Sequence, residues 1–367
     1  MADYLVKRSY GFMWHFCHNS SGICFCSMTN SHITEYEVLL PGGQSDFDVQ
    51  IDDSDTAHLV CQDSGGNIIY IKNEDKVWKK FTLLKSKTAS AYPKNFKIIR
   101  VGNWINIIYT VESGGKRLLS HHILENSDIP NAVDYAMGDF DCTRDEYGNI
   151  YILYTNSEGS AGWRKFLWSR KEWSDFTAVS KNGRLSKPYI FVDEKIHITA
   201  SVEDNIIYIS ETEEKIIAEG GTQPIIIKDE DCMYIMWKSL KDGKVWACMS
   251  SDKGRTFQKP AEFMAGRFVP AKLFALSCTT FEKCASRHCY GYIKDNAISL
   301  YLLGDFLKIS KTPPRPEMPE VKKDADIELT KLKIQLQHIS DYMSKLEFRI
   351  NMLEKAIEPK QKNEQEK

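Results

Sequence analysis

The sequence predicts an all-β head built from repeated four-stranded units, followed by a C-terminal α-helical coiled coil. Short runs rich in Ile, Val, Tyr and Trp recur through residues 1–307, and these residue types favour strands. Gly, Asn and Asp separate the runs, as in the tight turns of antiparallel hairpins. After a proline-rich stretch the apolar period changes to heptads, which are typical of coiled coils.

The clearest copy of the repeat spans residues 222–264. Its apolar runs are Ile225–Ile227, Cys232–Trp237 and Val245–Met249, separated by polar or Gly-containing turns. Weaker copies recur about every 43 residues, and this period with four strands is typical of a β-propeller blade. Seven blades fit the spacing over residues 1–307, with six as the alternative if a terminal segment completes a shared blade.

Many of the predicted strands are apolar on both faces. Residues 67–73 (NIIYIKN) and 104–111 (WINIIYTV) are examples. Strands of this kind are buried between two neighbouring sheets, as in a propeller. Because a propeller often closes its ring by pairing strands from both chain ends, we expect Asp3–Ser9 to join the last blade.

Composition excludes some classes of partner. The chain has 367 residues and a formal net charge of -2, so it has no overall attraction to nucleic acid or to an anionic membrane. The first residues lack a signal-peptide core and no apolar run could span a bilayer, which predicts a cytoplasmic protein without membrane insertion. Cysteines in predicted strands are expected to be buried, reduced thiols; they are Cys17, Cys24, Cys26, Cys232 and Cys248.

Residues 250–257 read Ser-Ser-Asp-Lys-Gly-Arg-Thr-Phe and match the pattern Ser-x-Asp-x-Gly-x-Thr-Phe. The segment resembles the Asp-box, or bacterial neuraminidase repeat, of sialidase-like propellers, where the motif is structural. We expect Ser250 and Asp252 to accept hydrogen bonds from nearby backbone N–H groups and Gly254 to supply a permissive φ. Thr256 completes the pattern, and Phe257 is expected to pack into the blade.

This resemblance implies one alternative function, sialidase-like glycan hydrolysis. Such an enzyme needs an arginine triad, a tyrosine nucleophile with a glutamate partner, and an acidic general acid. No Arg-Ile-Pro-like element precedes the first repeat, so we expect no catalytic set and no cofactor. The arginines considered for a triad have no recognisable context; they are Arg8, Arg100, Arg144, Arg164, Arg184 and Arg267.

One cysteine-rich stretch has the residue types that zinc prefers. It contains Cys278, Cys284, His288 and Cys289. No Cys-x-x-Cys is present, and the adjacent His288 and Cys289 would point to opposite faces of a strand. We expect free thiols in an inserted loop, with a metal site or a local disulfide as alternatives.

Two further features are candidates for ligand contact. Residues 63–67 (DSGGN) and 145–149 (DEYGN) resemble calcium loops, but the full ligand spacing is missing, so they are predicted to be turns. Trp163, beside Gly162 at the end of a turn rich in Gly and Ser, is the candidate aromatic for stacking on a sugar or a partner chain.

The C-terminal region is predicted to have three parts. Residues 308–323 form a Pro-rich linker, in which 311–320 contain four prolines. Residues 324–358 form the helix of the coiled coil, and 359–367 form a disordered tail that begins at Pro359.

The heptads predict oligomerisation. Arg349 and Glu354 flank Ile350 and Leu353 in a pattern similar to the Arg-h-x-x-h-Glu signature of parallel trimeric coiled coils. We favour a homotrimer, with a dimer or a heteromeric coil as alternatives. The apolar seam consists of Leu329, Leu332, Leu336, Ile339, Met343, Leu346, Ile350, Leu353 and Ile357.

These features together favour a non-catalytic, multivalent binding or scaffold protein. Its heads would recognise a protein or a glycan, and the coil would raise avidity by making later binding events intramolecular. The alternatives are the sialidase-like hydrolase and a structural subunit of a larger assembly, such as a phage-like particle or a spore layer.

Overall fold

The computed structural model describes residues 3–308 except 30, 75–76, 88–91, 125–128, 181–183, 212, 230–231, 264–269 and 280–285. These residues are all-β, apart from two short 3-10 turns at Ser9–Gly11 and Gly304–Leu307. Most of the predicted linker, the helix and the tail lie outside the described residues. Within the described part, no helix is long and apolar enough to cross a membrane.

The first half of the chain contains three groups of strands. The first group is β1 (Asp3–Lys7), β2 (Met13–Asn19), β3 (Gly22–Thr29), β4 (His32–Ile33) and β5 (Glu37–Pro41). The second is β6 (Phe47–Ile51), β7 (Ala57–Gln62), β8 (Ile68–Glu74) and β9 (Val77–Leu84). The third is β10 (Lys97–Val101), β11 (Trp104–Ser113), β12 (Lys116–Ile123) and the first part of β13 (Asn131–Arg144).

Four further groups follow. The fourth shares β13 and continues with β14 (Ile150–Asn156), β15 (Ala161–Leu167), β16 (Glu172–Trp173) and β17 (Thr177–Ser180). The fifth is β18 (Ser186–Val192), β19 (Ile196–Val202), β20 (Asn205–Ile209) and β21 (Glu214–Ala218). The sixth is β22 (Gly221–Asp229), β23 (Cys232–Ser239), β24 (Val245–Ser250) and β25 (Ala261–Glu262), and the seventh is β26 (Lys272–Cys278), β27 (His288–Lys294) and β28 (Ala297–Leu300).

The strand that opens each group lies toward a common centre. Opening strands contact one another in chain order, from β1 to β6 and on through β10, β13, β18 and β22. Strand β22 then contacts β27, and β26 contacts β6. Within each group the remaining strands follow as an antiparallel meander, which gives an all-β, propeller-like fold.

The two ends of the described chain meet, as the sequence predicts. Strand β1 pairs in parallel with β26, with Tyr4 opposite Ala275, while its other edge pairs with β2. Lys272 Nζ lies 3.0 Å from Asp3 Oδ2 beside this pairing. The first and seventh groups therefore form one continuous sheet.

Apolar side chains fill the space between neighbouring groups. Between the second and third groups, Val60 and Ile68 belong to the same buried cluster as Ile98 and Ile107. Fully burying one such side chain contributes about 1.5–3 kcal/mol. The prediction that strands apolar on both faces are buried between sheets is confirmed here.

The segments 63–67 and 145–149 are turns closed by their own side chains. Asn67 donates to Asp63 through its backbone N (2.9 Å) and its Nδ2 (2.8 Å). Asn149 donates to Asp145 in the same two ways, at 2.8 and 2.9 Å. Each Asp carboxylate thus accepts hydrogen bonds from the Asn four residues later, and both segments are turns, as the sequence predicts.

The turn at 250–257 joins β24 to β25. Gly254 N donates to Ser250 Oγ at 2.8 Å, and Thr256 N donates to Asp252 Oδ1 at 2.8 Å. The Thr256 hydroxyl donates to the second oxygen of Asp252 at 2.6 Å. Gly254 has φ +84°, so the turn has the hydrogen bonds and the glycine conformation that the sequence predicts.

This turn packs against the preceding group. The rings of Phe257 and Tyr208 lie 4.9 Å apart between centroids. A Cβ added at Gly254 would lie 2.1 Å from the Tyr208 hydroxyl, so no side chain fits there. The turn therefore fixes the contact between the fifth and sixth groups.

Candidate ligand-binding site

A ring of polar residues surrounds one end of the central axis. Each of these residues immediately precedes a Phe or Pro near the start of the opening strand of its group. The groups concerned are the second to the sixth. The ring residues are Asp46, Asn95, Asp139, Lys187 and Gln223. All five line a cavity of about 440 Å³, which we call the mouth cavity; Tyr4, Leu273 and His288 of the first and seventh groups complete its wall.

The backbone at this ring is strained. Asn95, Lys187 and Gln223 have φ of +55°, +48° and +54°, a left-handed conformation that costs a non-glycine residue roughly 1–2 kcal/mol. The strand pairing shifts register across two of them, between Ser186 and Tyr189 and between Thr222 and Ile225. Bulges and left-handed residues concentrate at functional sites, because they aim side chains in directions that a regular strand cannot.

The ring carboxylates have different partners. Asp46 accepts hydrogen bonds from the backbone N–H groups of Lys94, at 2.5 Å, and of Asn95, at 3.0 Å. It thereby ties the second group to the third. Asp139 forms an ion pair with Lys187 at 3.0 Å, and half of the lysine side chain is exposed, so this pair remains accessible to a ligand.

Two nitrogen atoms of the cavity wall are buried without a hydrogen-bond partner among the described residues. They are Asn95 Nδ2 and His288 Nδ1. Burial lowers the pKa of His288 to about 3, so the imidazole is neutral near pH 7. Buried polar atoms are rarely left unpaired, so these two nitrogens are unusual.

A charged layer lies one step deeper along the axis. Asp48 accepts a hydrogen bond from Ile98 N at 2.5 Å, and Asp141 accepts one from Ile190 N at 3.0 Å. Each carboxylate joins its opening strand to the next. Both occupy the last position of an Asp-Phe-Asp sequence, at 46–48 and 139–141. This repeated tripeptide is the sequence signal from which the layer could have been predicted.

Arg287 and Lys97 compensate the charge of Asp141. Arg287 Nη2 lies 2.8 Å, and Lys97 Nζ 3.6 Å, from carboxylate oxygens of Asp141. Burial alone would raise the pKa of Asp141, but the charges of Arg287 and Lys97 hold it well below its ordinary value. Asp141 lines the mouth cavity, whereas Arg287 lines a second cavity at the other end of the opening strands.

Tyr4 of the mouth cavity lacks the environment of a nucleophile. Tyr4 donates its hydroxyl hydrogen bond to the Phe47 carbonyl at 2.6 Å, and burial raises its pKa well above the ordinary value. The hydroxyl of Tyr189 lies 3.3 Å from Ser286 Oγ. No glutamate lines either cavity among the described residues, whereas a nucleophilic tyrosine needs a lowered pKa or a base partner.

The predicted zinc-type residues do not converge in the described part. Cys278 ends β26, and His288 and Cys289 begin β27. Cys289 is fully buried in the core, while His288 lines the mouth cavity. Cys284 lies outside the described residues. Among the residues that are described, no group of three or more His, Cys, Asp or Glu could hold a metal ion.

Trp163 is the third residue of β15, just after the turn rich in Gly and Ser. Asn156 Oδ1 accepts a hydrogen bond from Ser160 N and closes the turn, so β15 begins at Ala161. The Trp163 ring is half-buried and lies 5.6 Å from that of Tyr151. Whether Trp163 contacts a ligand stays a prediction.

The strands define a propeller-like, all-β fold with a cavity of about 440 Å³ at one end of its opening strands. No protein-family model and no curated protein matches the sequence. Solved structures with similar architecture include a mutant Aleuria aurantia lectin in complex with Fucα1-6GlcNAc, at 13% identity and a TM-score of 0.43, covering 71% of this chain and 90% of that chain.

AofleA from Arthrobotrys oligospora is 13% identical, with a TM-score of 0.40 and coverage of 72% of this chain and 86% of that chain. TolB from Acinetobacter baumannii is 8% identical, with a TM-score of 0.38 and coverage of 67% and 62%. Similarity at this level does not extend to ligand or activity.

Proposed function

We propose that the head is a non-catalytic carbohydrate-binding module that takes a glycan in the mouth cavity. The observation that carries this proposal is the polar ring, together with two unpartnered nitrogens, Asn95 Nδ2 of the ring and His288 Nδ1 of the cavity wall. Amide, carboxylate and ammonium groups offer the donors and acceptors that sugar hydroxyls need. The cavity of about 440 Å³ falls within the range of roughly 300–1,000 Å³ for small-molecule sites.

The wall chemistry also suits a sugar. Behind the polar ring stand Phe47, Phe96 and Phe140, with Pro188 and Pro224 in the next two groups. A saccharide presents hydroxyls at its edge and C–H groups on its faces, so polar rims with apolar walls match both. The strained ring residues are fixed by the strands behind them, and a pre-formed site binds with less ordering cost.

Three substitutions test the site while keeping its backbone. Asn95→Gly, Lys187→Gly and Gln223→Gly remove side chains at positions where glycine tolerates the positive φ. Asn296→Gly is the matched control, since Asn296 has φ +59° in an exposed hairpin turn outside the cavity. The full chain should bind a subset of an immobilised glycan panel, and the three mouth variants should lose that binding while the control retains it.

We further propose that the head has seven blades and that the full chain is a homotrimer. Seven groups of strands in the described chain support the blade number, with six as the alternative because β1 and β26 pair in one sheet. The heptads with Arg349 and Glu354 support the trimer. Three heads on one stalk would convert a weak single-site affinity into strong attachment to a multivalent surface.

Light scattering on the full chain and on a chain ending at 320 tests the oligomer. We expect a discrete trimer that becomes a monomer on truncation. An unchanged mass per particle would exclude the coil as the oligomerising element, and rings or sheets would favour a structural subunit of a larger assembly.

A further inference from the structure

A second cavity of about 270 Å³ lies at the far ends of the opening strands. Arg100 of β10, Arg144 at the end of β13 and Arg287 before β27 all line it. These arginines are far apart in sequence and belong to three different groups. Among the described residues, no carboxylate side chain lines this cavity.

The three arginines differ in how their charge is compensated. Arg287 is paired with the buried Asp141. Arg100 Nη1 lies 2.9 Å from Asp53 Oδ1, but the Asp53 side chain is 43% exposed and stands outside the cavity lining. The guanidinium of Arg144 makes no ion pair or hydrogen bond within the described chain. Arg144 ends β13 as an exposed residue, and the carboxylates that act on it, Asp53 and Asp145, lie outside the cavity lining.

Arg144 stands close enough to Arg100 for the two charges to interact. Burial, followed by the charge of Arg100, lowers the pKa of Arg144. Two guanidinium groups that repel one another across a cavity are stabilised when an anion enters between them. Their planar forks suit the paired oxygens of an oxyanion.

Hydroxyl groups complete the wall. Ser277 Oγ accepts a hydrogen bond from Ile51 N at 3.0 Å and lies 3.1 Å from Gln50 Oε1. Thr143 and Ser286 also line the cavity. Hydroxyls beside arginines are common donors to phosphate and sulfate oxygens.

We infer that the second cavity binds an oxyanion group, a phosphate, sulfate or carboxylate, between Arg100 and Arg144. The group would be either a free ion or a substituent of a larger ligand. This site is separate from the mouth cavity, since the layer of Asp141, Lys97 and Arg287 lies between them, and the inference does not depend on the proposed glycan site.

Calorimetric titration of the full chain with inorganic phosphate, sulfate and acetate tests the inference. Ionic strength is kept constant with sodium chloride, because screening alone changes apparent affinities. We expect saturable binding of at least one of these anions, weakened about tenfold or more in Arg144→Gln. Arg170→Gln is the control, since Arg170 is 72% exposed and pairs with Glu172 outside the cavity.

Glucose 6-phosphate distinguishes the two sources of the group. If glucose 6-phosphate binds more tightly than inorganic phosphate and Arg144→Gln loses this binding, the ligand is a larger molecule that carries the group. If the two bind equally, the ligand is the free ion. Both outcomes support the site. Absence of saturable binding in the wild-type chain would overturn the inference. So would an equal loss in Arg170→Gln, or unchanged binding in an Arg144→Gln variant whose unfolding temperature matches the wild type.

Discussion

Arg287 donates two hydrogen bonds to Asp141, through Nη2 at 2.8 Å and Nη1 at 3.2 Å. Arg287 precedes β27 in the seventh group, whereas Asp141 lies in β13 between the third and fourth groups. The same guanidinium donates to the backbone carbonyls of Cys142 and Ile190. One side chain thus joins the last group to the middle of the chain across the central axis.

Replacing Arg287 by Met should destabilise the fold strongly. The Asp141 side chain is 3% exposed, and removing its main partner leaves a buried charge that only Lys97 compensates, so we expect a loss of about 3 kcal/mol in the free energy of unfolding. Urea denaturation measures it. Arg170→Met, which breaks an exposed pair, should change stability by less than about 1 kcal/mol.

A second substitution separates lost charge compensation from lost packing. Asp141→Asn in the Arg287→Met background removes the uncompensated charge and should recover part of the stability. If Arg287→Met costs under about 1 kcal/mol, the pair does not hold the ring together.

Acid should destabilise the fold through two buried histidines. Burial lowers the pKa of His121 and of His288 to about 3, so the folded chain stays unprotonated at both while the unfolded chain takes up protons below about 6.5. The free energy of unfolding should therefore fall as pH drops from 6.5 toward 3, by up to about 1.4 kcal/mol per pH unit for each histidine.

Urea unfolding midpoints measured at several pH values between 7 and 4 show how steeply the free energy of unfolding depends on pH. His121→Gln should reduce this slope, because His121 is fully buried and the substitution removes its proton uptake from the unfolded chain. An unchanged slope in this variant would show that other groups cause the acid sensitivity.

The turn at 250–257 should weaken only in strong acid. Hydrogen bonds from the Thr256 hydroxyl and the Thr256 backbone N–H, together with that of Ser250, lower the pKa of Asp252 to about 2. The stability that the carboxylate contributes is present above its ordinary pKa of about 3.9 and is lost as pH falls toward 2.

Thermal unfolding of Asp252→Asn and of the wild-type chain between pH 6 and pH 2 tests this. The wild type should have the higher unfolding temperature at pH 6, and the difference should vanish near pH 2. A constant difference over the whole range would mean that the charge of Asp252 does not support the turn.

Relieving strain at the mouth cavity should stabilise the head and weaken binding. Gln223→Gly removes left-handed strain of roughly 1 kcal/mol or more, offset by the greater freedom of glycine in the unfolded chain. We expect a gain of about 0.5 kcal/mol with a loss of glycan affinity. Asn296→Gly should stabilise similarly without changing affinity. A Gln223→Gly variant that is less stable than the wild type would show that the positive φ at Gln223 stores no such strain.

Local hydrogen-bond chemistry explains which parts of the structure the sequence could predict. The turns at 63–67, 145–149 and 250–257 are closed by side chains within the same few residues, so their spacing is visible in the sequence. Strand pairing followed from turn residues and apolar runs for the same reason. The turn before Trp163 ends two residues earlier than the sequence indicated, because Ser160 N donates to Asn156 Oδ1 and β15 begins at Ala161.

The polar ring could not be predicted in this way. Asn95, Asp139 and Gln223 are brought together only when the ring of strands closes, and each has a different side chain. The five ring residues share one sequence feature, since each is a polar residue that immediately precedes a Phe or Pro near the start of an opening strand. The convergence of Arg100, Arg144 and Arg287 depends equally on closure, and no motif in the sequence surrounds the first two.

The most direct measurement is glycan binding by the full chain and by its mouth variants on one glycan array. We expect the wild-type chain to bind a defined subset of glycans, Asn95→Gly and Lys187→Gly to lose this binding, and Asn296→Gly to keep it. A wild-type chain that binds no glycan, or mouth variants that bind as strongly as the wild type, would contradict the proposal that the mouth cavity is a carbohydrate site.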